Sequence, residues 1–288
     1  MPETEELFQK QKEWAEDGLQ TLREFLPLMS TVGTFQWNAE ERKTIGYLAS
    51  ATARTSESAL LLCAYGQLWD AEILVRSVLE GTLKFSYLLQ SRDSFAERHR
   101  EYADDLFVIG WFKDHAKAEK FLETAKQRND PMWRPTRDLL IPAHERAELS
   151  AKYSRIVRKD LTTRWGFTGL IKELADSGDP LFRDLGATAH AYSIASHIQH
   201  VDMIGASMAL ERDLRSEPRR EAIQLAHLGR LVGDVLRFMF LRLALGYRFT
   251  GADVAPLEGV KATIDAETTR FDRTYRAWME VEYPSNSA

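Results

Sequence analysis

Residues 70–90 read DAEILVRSVLEGTLKFSYLLQ, and this stretch decides the fold. Ile73, Leu74, Val75, Val78, Leu79, Leu83, Phe85, Tyr87, Leu88 and Leu89 put apolar side chains nearly all round a helix. Such a helix has no face to give to water, so it belongs at the centre of a helical fold. Asp70 is its expected N-cap. Yet Glu72, Arg76, Glu80 and Lys84 recur every four residues, which sets charges of alternating sign on one face. On an exposed helix each such pair contributes only about 0.2–0.5 kcal/mol. On a central helix a buried charge costs several kcal/mol unless it is paired. The stripe therefore reads as an ion-pair network across the core, or as the lining of a cleft in which Arg76 and Glu80 act on a ligand.

Working outward, the same periodicity continues in both directions. Leu19, Leu22, Leu26 and Met29 form an apolar stripe on a first helix expected from about Thr4, which Pro27 kinks or ends. Asn38 caps a second long helix to about Tyr65, and Gly66 ends it. A helix from about Ser94 to Lys126, broken near Gly110, follows the central one. Residues 128–142 carry three prolines and read as non-helical. Further helices are expected over about Ala143–Arg158, Thr168–Ala175, Pro180–His200 and Met203–Asp213. Glu217-Pro218 opens an amphipathic helix to about Gly246–Gly251, and a last helix covers about Leu257–Val281. The tail from Pro284 onward is expected to fray. Alternating β-type runs are missing, so the fold class is all-α: an antiparallel helical bundle with additional helices, read as one domain over residues 1–288. Within it the motif-bearing core spans about residues 38–250.

Composition narrows the function classes. The 288 residues carry a formal net charge of −5, which argues against a generic nucleic-acid coat but not against a local basic groove. Cys63 is the one cysteine, so no intrachain disulfide forms, and it reads as a small core hydrophobe. Glu3, Glu5 and Glu6 make the N-terminus unlike a signal peptide. Residues 225–247 are the most apolar, but Arg230, Asp234, Arg237 and Arg242 make them a poor membrane span. The expectation is a cytoplasmic protein with no membrane partner.

The second cluster of chemistry-bearing residues is HAYSIASHIQH, residues 190–200. His190, His197 and His200 share one helical face. An imidazole there could do acid–base work beside Arg76 and Glu80. His197, His200 and Asp202 could also bind a metal, though that needs a further ligand and the spacing matches no zinc motif. The plain alternative is helix-packing histidines bonded to backbone or carboxylates. No strand–turn–helix nucleophile elbow accompanies the serines. Elsewhere, Arg128, Trp133, Arg134 and Arg137 place cations beside an aromatic ring, as single-strand nucleic-acid binders do, or make a solvated loop with one anchor. Arg212, Arg215, Arg219 and Arg220 read as a helix junction.

Arg183 precedes His190 by a spacing that resembles HEPN ribonucleases, in which an arginine stabilises phosphate charge and a histidine moves protons. Arg92–His99, Arg137–His144 and Arg220–His227 share the spacing, and about two such matches arise by chance from a motif this loose. Only the Arg183 match adjoins the histidine cluster.

Arg76-Ser77-Val78-Leu79-Glu80, together with Tyr192-Ser193-Ile194-Ala195-Ser196-His197, resembles the motif pair of an uncharacterised bacterial family, domain of unknown function 5677. The resemblance covers roughly residues 45–200, and His200 departs from the pattern. It implies an all-helical fold in which the two motif helices pair, and no established activity. If the motifs face each other, Arg76, Glu80 and His197 form one polar cluster.

These readings give a leading expectation of a metal-independent, ribonuclease-like or nucleotide-handling protein in a defence or toxin setting, with RNA or a nucleotide as partner. Arg76, Glu80, His197 and His190 are its candidate catalytic residues, and Arg183, Tyr192 and His200 its candidate substrate contacts. No cofactor and no metal are expected. The alternative is a non-catalytic helical module that binds a small anionic ligand or a partner helix, with Arg76 as anion contact and Glu80 as its clamp. The long amphipathic helices also permit a homodimer.

Overall fold

The computed structural model describes residues 5–125, 128–183 and 185–284, and among them every regular element is helical. None of the helices is long and apolar enough to cross a membrane. The chain divides into two compact units, residues 1–90 with 174–288, and residues 91–173. The sequence reading of one domain did not draw that division.

The first unit holds α1 (Glu5–Phe25), α2 (Met29–Gly33), α3 (Ala39–Ala64) and α4 (Leu68–Leu89). Asn38 accepts from the Glu41 N–H at 2.9 Å while the Glu41 carboxylate accepts from the Asn38 N–H at 2.9 Å. This capping box starts α3 at the N-cap the sequence predicts, with Glu41 adding the reciprocal bond. Pro27 converts the end of α1 into a short tight turn at Leu26–Leu28. Gly66 at φ 72° closes α3. The chain re-enters a helix at once, so α4 begins at Leu68, two residues before the expected cap; Asp70 sits in its first turn. Leu68 is fully buried, and that burial draws the helix start inward.

In the second unit, α5 (Arg92–Arg100) and α6 (Leu106–Thr124) are separated by a widened helical turn at Glu101–Asp105. The break falls there and not near Gly110; the expected end at Lys126 lies outside the described residues. The wide turn serves two buried carboxylates. Glu101 takes Arg164 and the Trp165 indole N–H, the latter at 2.8 Å. Asp105 accepts from the Tyr153 hydroxyl at 2.6 Å. The proline segment is not wholly irregular: a tight turn at Pro131–Trp133 leads into α7 (Arg134–Arg137). Arg137 Nη1 donates to the carbonyls of Arg128 and Asp130, and Trp133 packs edge-on against Phe121. These contacts hold the loop on itself. The expected helix over residues 143–158 divides into α8 (Ala143–Lys152) and α9 (Arg155–Arg164), because Ser154 caps a new start. α10 (Phe167–Ala175) closes the unit. Phe112, Ile141 and Tyr153 form its small core.

The first unit resumes with a tight turn at Pro180–Phe182, then α11 (Leu185–His200), α12 (Met203–Asp213), α13 (Glu217–Thr250) and α14 (Ala255–Glu282). The helix expected from Pro180 thus starts later. The expected start at Thr4 lies outside the described residues, as does most of the tail expected to fray. α13 runs 34 residues and packs on α14, α4, α1 and α3. Leu228, Leu231, Val232, Val235, Leu236, Leu243 and Leu245 on α13 are all fully buried. Truncating any one to alanine would cost about 2–5 kcal/mol. Gly229 permits the closest approach of α14: a Cβ there would sit 2.9 Å from Phe271 Cβ. α12, by contrast, buries none of its residues.

Candidate functional site

The charged face of α4 meets two helices. Toward α11, Arg76 is saturated. Its Nη1 donates to Gln199 Oε1 at 2.7 Å, its Nη2 to the Tyr192 hydroxyl at 2.8 Å, and its Nε lies 3.4 Å from Glu80 Oε1. The guanidinium also lies over the Tyr192 ring, 4.1 Å from its centre. The Tyr192 hydroxyl in turn donates to Glu80 at 3.0 Å. Burial, with the Glu80 carboxylate beside it, raises the Tyr192 pKa. This cluster staples α4 to α11 and leaves Arg76 little capacity for a ligand.

His197 does not join that cluster through any bond made here. Its Nδ1 lies 2.6 Å from Asp202 Oδ2 across the α11–α12 turn. Asp202 Oδ1 accepts the Gly205 N–H at 3.0 Å and so caps α12. That backbone bond, then the His197 contact, lowers the Asp202 pKa. Between them Val201 takes φ 49°, which is unfavourable for a β-branched residue. His200 and Arg183 are exposed. His190 lines a cavity. Among the described residues no three His, Cys, Asp or Glu side chains converge as a metal would need.

Toward α13, α4 buries Glu72, which is 2% exposed. His227 Nε2 donates to Glu72 Oε2 at 2.8 Å, and Arg230 pairs with the same oxygen. Burial alone would raise the Glu72 pKa, but the His227 bond and the Arg230 charge outweigh it and the pKa is lowered. Burial lowers the His227 pKa. Arg230 also reaches Asp234 at 3.4 Å. Burial nonetheless pushes the Asp234 carboxyl up to about 6, with Glu72 adding to the rise. About two helical turns further, Arg242 is 2% exposed and donates to Thr82 Oγ1 at 2.6 Å, and burial lowers its pKa to about 9. Cys63 is fully buried and burial raises its thiol pKa to about 12, which suits a core residue and not a nucleophile.

Two cavities flank this network. One, of about 380 Å³, lies between α4, α11 and α13 and includes Arg76, Thr188, Tyr192 and Asp234. The other, of about 490 Å³, is walled by α11 and α12 on one side and α13 and α14 on the other. Arg230 and Arg237 line both. The larger cavity has aromatic and aliphatic walls that include Trp69, Ile194, Met208, Phe271 and Trp278, with Arg212 and His227 among them. Its size falls in the range of small-ligand pockets. The indole N–H groups of Trp69 and Trp278 are buried and make no hydrogen bond. A buried donor left unmade costs about 1–3 kcal/mol.

Sequence reasoning expected Arg76 and Glu80 to meet His197; the residue of α11 that meets them is Tyr192, expected only as a substrate contact. It missed Glu72–His227, Arg230, Arg237, Arg212 and the two tryptophans. A signal was present: four charges on α13 sit within its most apolar stretch.

An all-α protein with an ion-pair network between paired cavities is the class that fold and site define. More particularly, the chain belongs to the family of unknown function DUF5677, whose model matches residues 43–217. The match takes in α4, α11 and α12, and so one wall of the larger cavity; α14 and nearly all of α13 lie beyond it. No curated protein and no solved structure matches the chain.

Proposed function

We propose that this protein is a non-catalytic binding module that holds a small anionic ligand in the cavity between α11, α12, α13 and α14. The observation that carries this reading is the cavity's combination of apolar walls with Arg212, Arg230 and Arg237 and two indole donors that lack a partner. Concave, mostly apolar sites with a few convergent polar groups are the usual form of a small-molecule pocket. Arg237 is exposed and lines both cavities, which makes it an anion contact at the mouth. Arg76, the anion contact expected from sequence, takes a supporting role, because it lines the smaller cavity and not this one. The test is thermal unfolding of the purified protein against a panel of organic and inorganic anions. A ligand raises Tm by mass action in wild type, and Arg237→Ala diminishes that rise while the ligand-free Tm stays unchanged.

One observation favours a second reading, RNA cleavage without metal. His197 is oriented by a carboxylate, as a general base is. That reading requires RNA cleavage in the presence of a chelator and its loss in His197→Ala. Intact RNA with the wild-type protein removes it.

A further inference from the structure

The larger cavity combines cations with aromatic rings. α4, α12 and α13 bring cations together around Trp69. The Arg212 guanidinium lies 5.1 Å from the Trp69 ring centre, and the His227 ring lies 4.9 Å from it. Arg230 adjoins, since it shares Glu72 with His227. From α14 come Phe271, Tyr275 and Trp278, spaced by four and three residues so that they share one face. The Tyr275 and Trp278 ring centres are 5.4 Å apart. A row of rings beside a group of cations fits an amphipathic occupant.

The hydrogen-bonding inventory narrows it further. Arginine and tryptophan side chains only donate. Arg212, Arg230, Arg237, Trp69 and Trp278 therefore offer a wall of donors, against which Asp272 is the single carboxylate lining the cavity. A ligand that fits such a wall brings acceptors at one end and little that donates elsewhere. A nucleotide brings ribose hydroxyls, and most bases bring amino groups, which also donate. RNA adds a negative charge at every residue, whereas α14 brings three rings and the Asp272 carboxylate.

Resting on the binding reading above, we infer that the ligand is an amphipathic organic acid: one carboxylate or phosphate head among Arg212, Arg230 and Arg237, and an alkyl or aryl body along Phe271, Tyr275 and Trp278. The head accepts from the cations and indoles, and the body displaces water from the aromatic row.

The experiment is calorimetric titration of the full chain with straight-chain carboxylates from four to ten carbons, phenylalkyl carboxylates, the matched alcohols, nucleoside monophosphates and inorganic phosphate. Affinity is expected to rise about fourfold per methylene buried, until the cavity is filled. The matched alcohols bind at least tenfold more weakly. Arg212→Gln weakens all acids by a similar factor. Trp278→Leu flattens the dependence on chain length, and circular dichroism verifies that both variants are folded. Nucleoside monophosphates binding where the acids do not overturns the inference and leaves the binding reading standing. Phosphate or butyrate binding as tightly as the longer acids overturns it too, because the body then contributes nothing. A panel in which nothing binds takes away the binding reading itself.

Discussion

Glu72 on α4 and His227 on α13 are 155 positions apart in the chain and 2.8 Å apart in the fold. With Arg230 they make a buried knot behind both cavities. Each partner is costly alone in the interior, so the knot fixes how α4 and α13 align and where the cavity's cations point.

Removing Glu72 is expected to strand its partners. Glu72→Ala should lower stability by about 2–4 kcal/mol, less than the full cost of breaking a buried pair, because Arg230 keeps Asp234 and reaches solvent. The shift of the urea midpoint measures it. Glu72→Gln, which keeps an acceptor for His227, should lose less. Because the folded Glu72 pKa lies below its ordinary 4.5, its contribution is present above that value and lost as pH falls through the folded pKa.

Asp234 titrates with the opposite sign. Its folded pKa is raised from 3.8 to about 6, so the native state binds the proton more tightly than the unfolded chain does. Its stabilising effect is complete below pH 3.8 and is lost as pH rises through about 6. Asp234→Asn should therefore gain stability relative to wild type between those pH values, by up to about 3 kcal/mol, and hold the gain at neutral pH. Chemical denaturation of both proteins at pH 4, 5, 6 and 7 (roughly one-unit steps across the titration) reads the difference directly. A gap that does not widen with pH contradicts the assignment.

Arg76→Ala should be milder than a buried pair would suggest. The Glu80 side chain is 34% exposed, so water solvates the carboxylate that Arg76 leaves behind. The expected loss is about 1–2 kcal/mol, carried by the bonds to Tyr192 and Gln199. Amide exchange should quicken in α11. Tyr192→Phe should reproduce part of both effects.

In the second unit, Tyr153→Phe removes the hydroxyl that donates to Asp105 at 2.6 Å. A bond to a charged, buried acceptor contributes about 1.5–3 kcal/mol. Hydrogen exchange should report faster opening within residues 91–173.

What the sequence made legible was local or helical in period. The Asn38 N-cap is a local signal and stands as read; the structure adds the reciprocal bond to Glu41. The apolar faces of α4 and α13 follow from spacing, and so does the all-α fold. The pairing of α4 with α11 came from the motif pair, since nothing in either helix alone names its partner; that Tyr192 is the residue meeting Arg76 and Glu80 did not. His197 was expected beside them because it shares a helix with Tyr192; the Asp202 cap at the following turn takes its Nδ1 instead. The cavity was not legible, because it exists only through how α11 and α12 lie against α13 and α14. Arg230 and Arg237 were visible only as charges that spoil a membrane span. The wide turn at Glu101–Asp105 escaped notice because its cause, two carboxylates with partners some 50–60 residues on, is tertiary.

The central claim is that an acidic ligand occupies the cavity lined by Trp69 and Trp278. Their indole N–H groups make no hydrogen bond in the ligand-free structure, so their proton–nitrogen NMR resonances report occupancy most directly. With each assigned from a Trp→Phe variant, titration of an amphipathic carboxylate should move these two signals, saturate at one equivalent and leave the Trp37 indole, already bonded to Val32, in place. Indole signals at Trp69 and Trp278 that stay fixed under a saturating excess of every acid in the series would contradict the account.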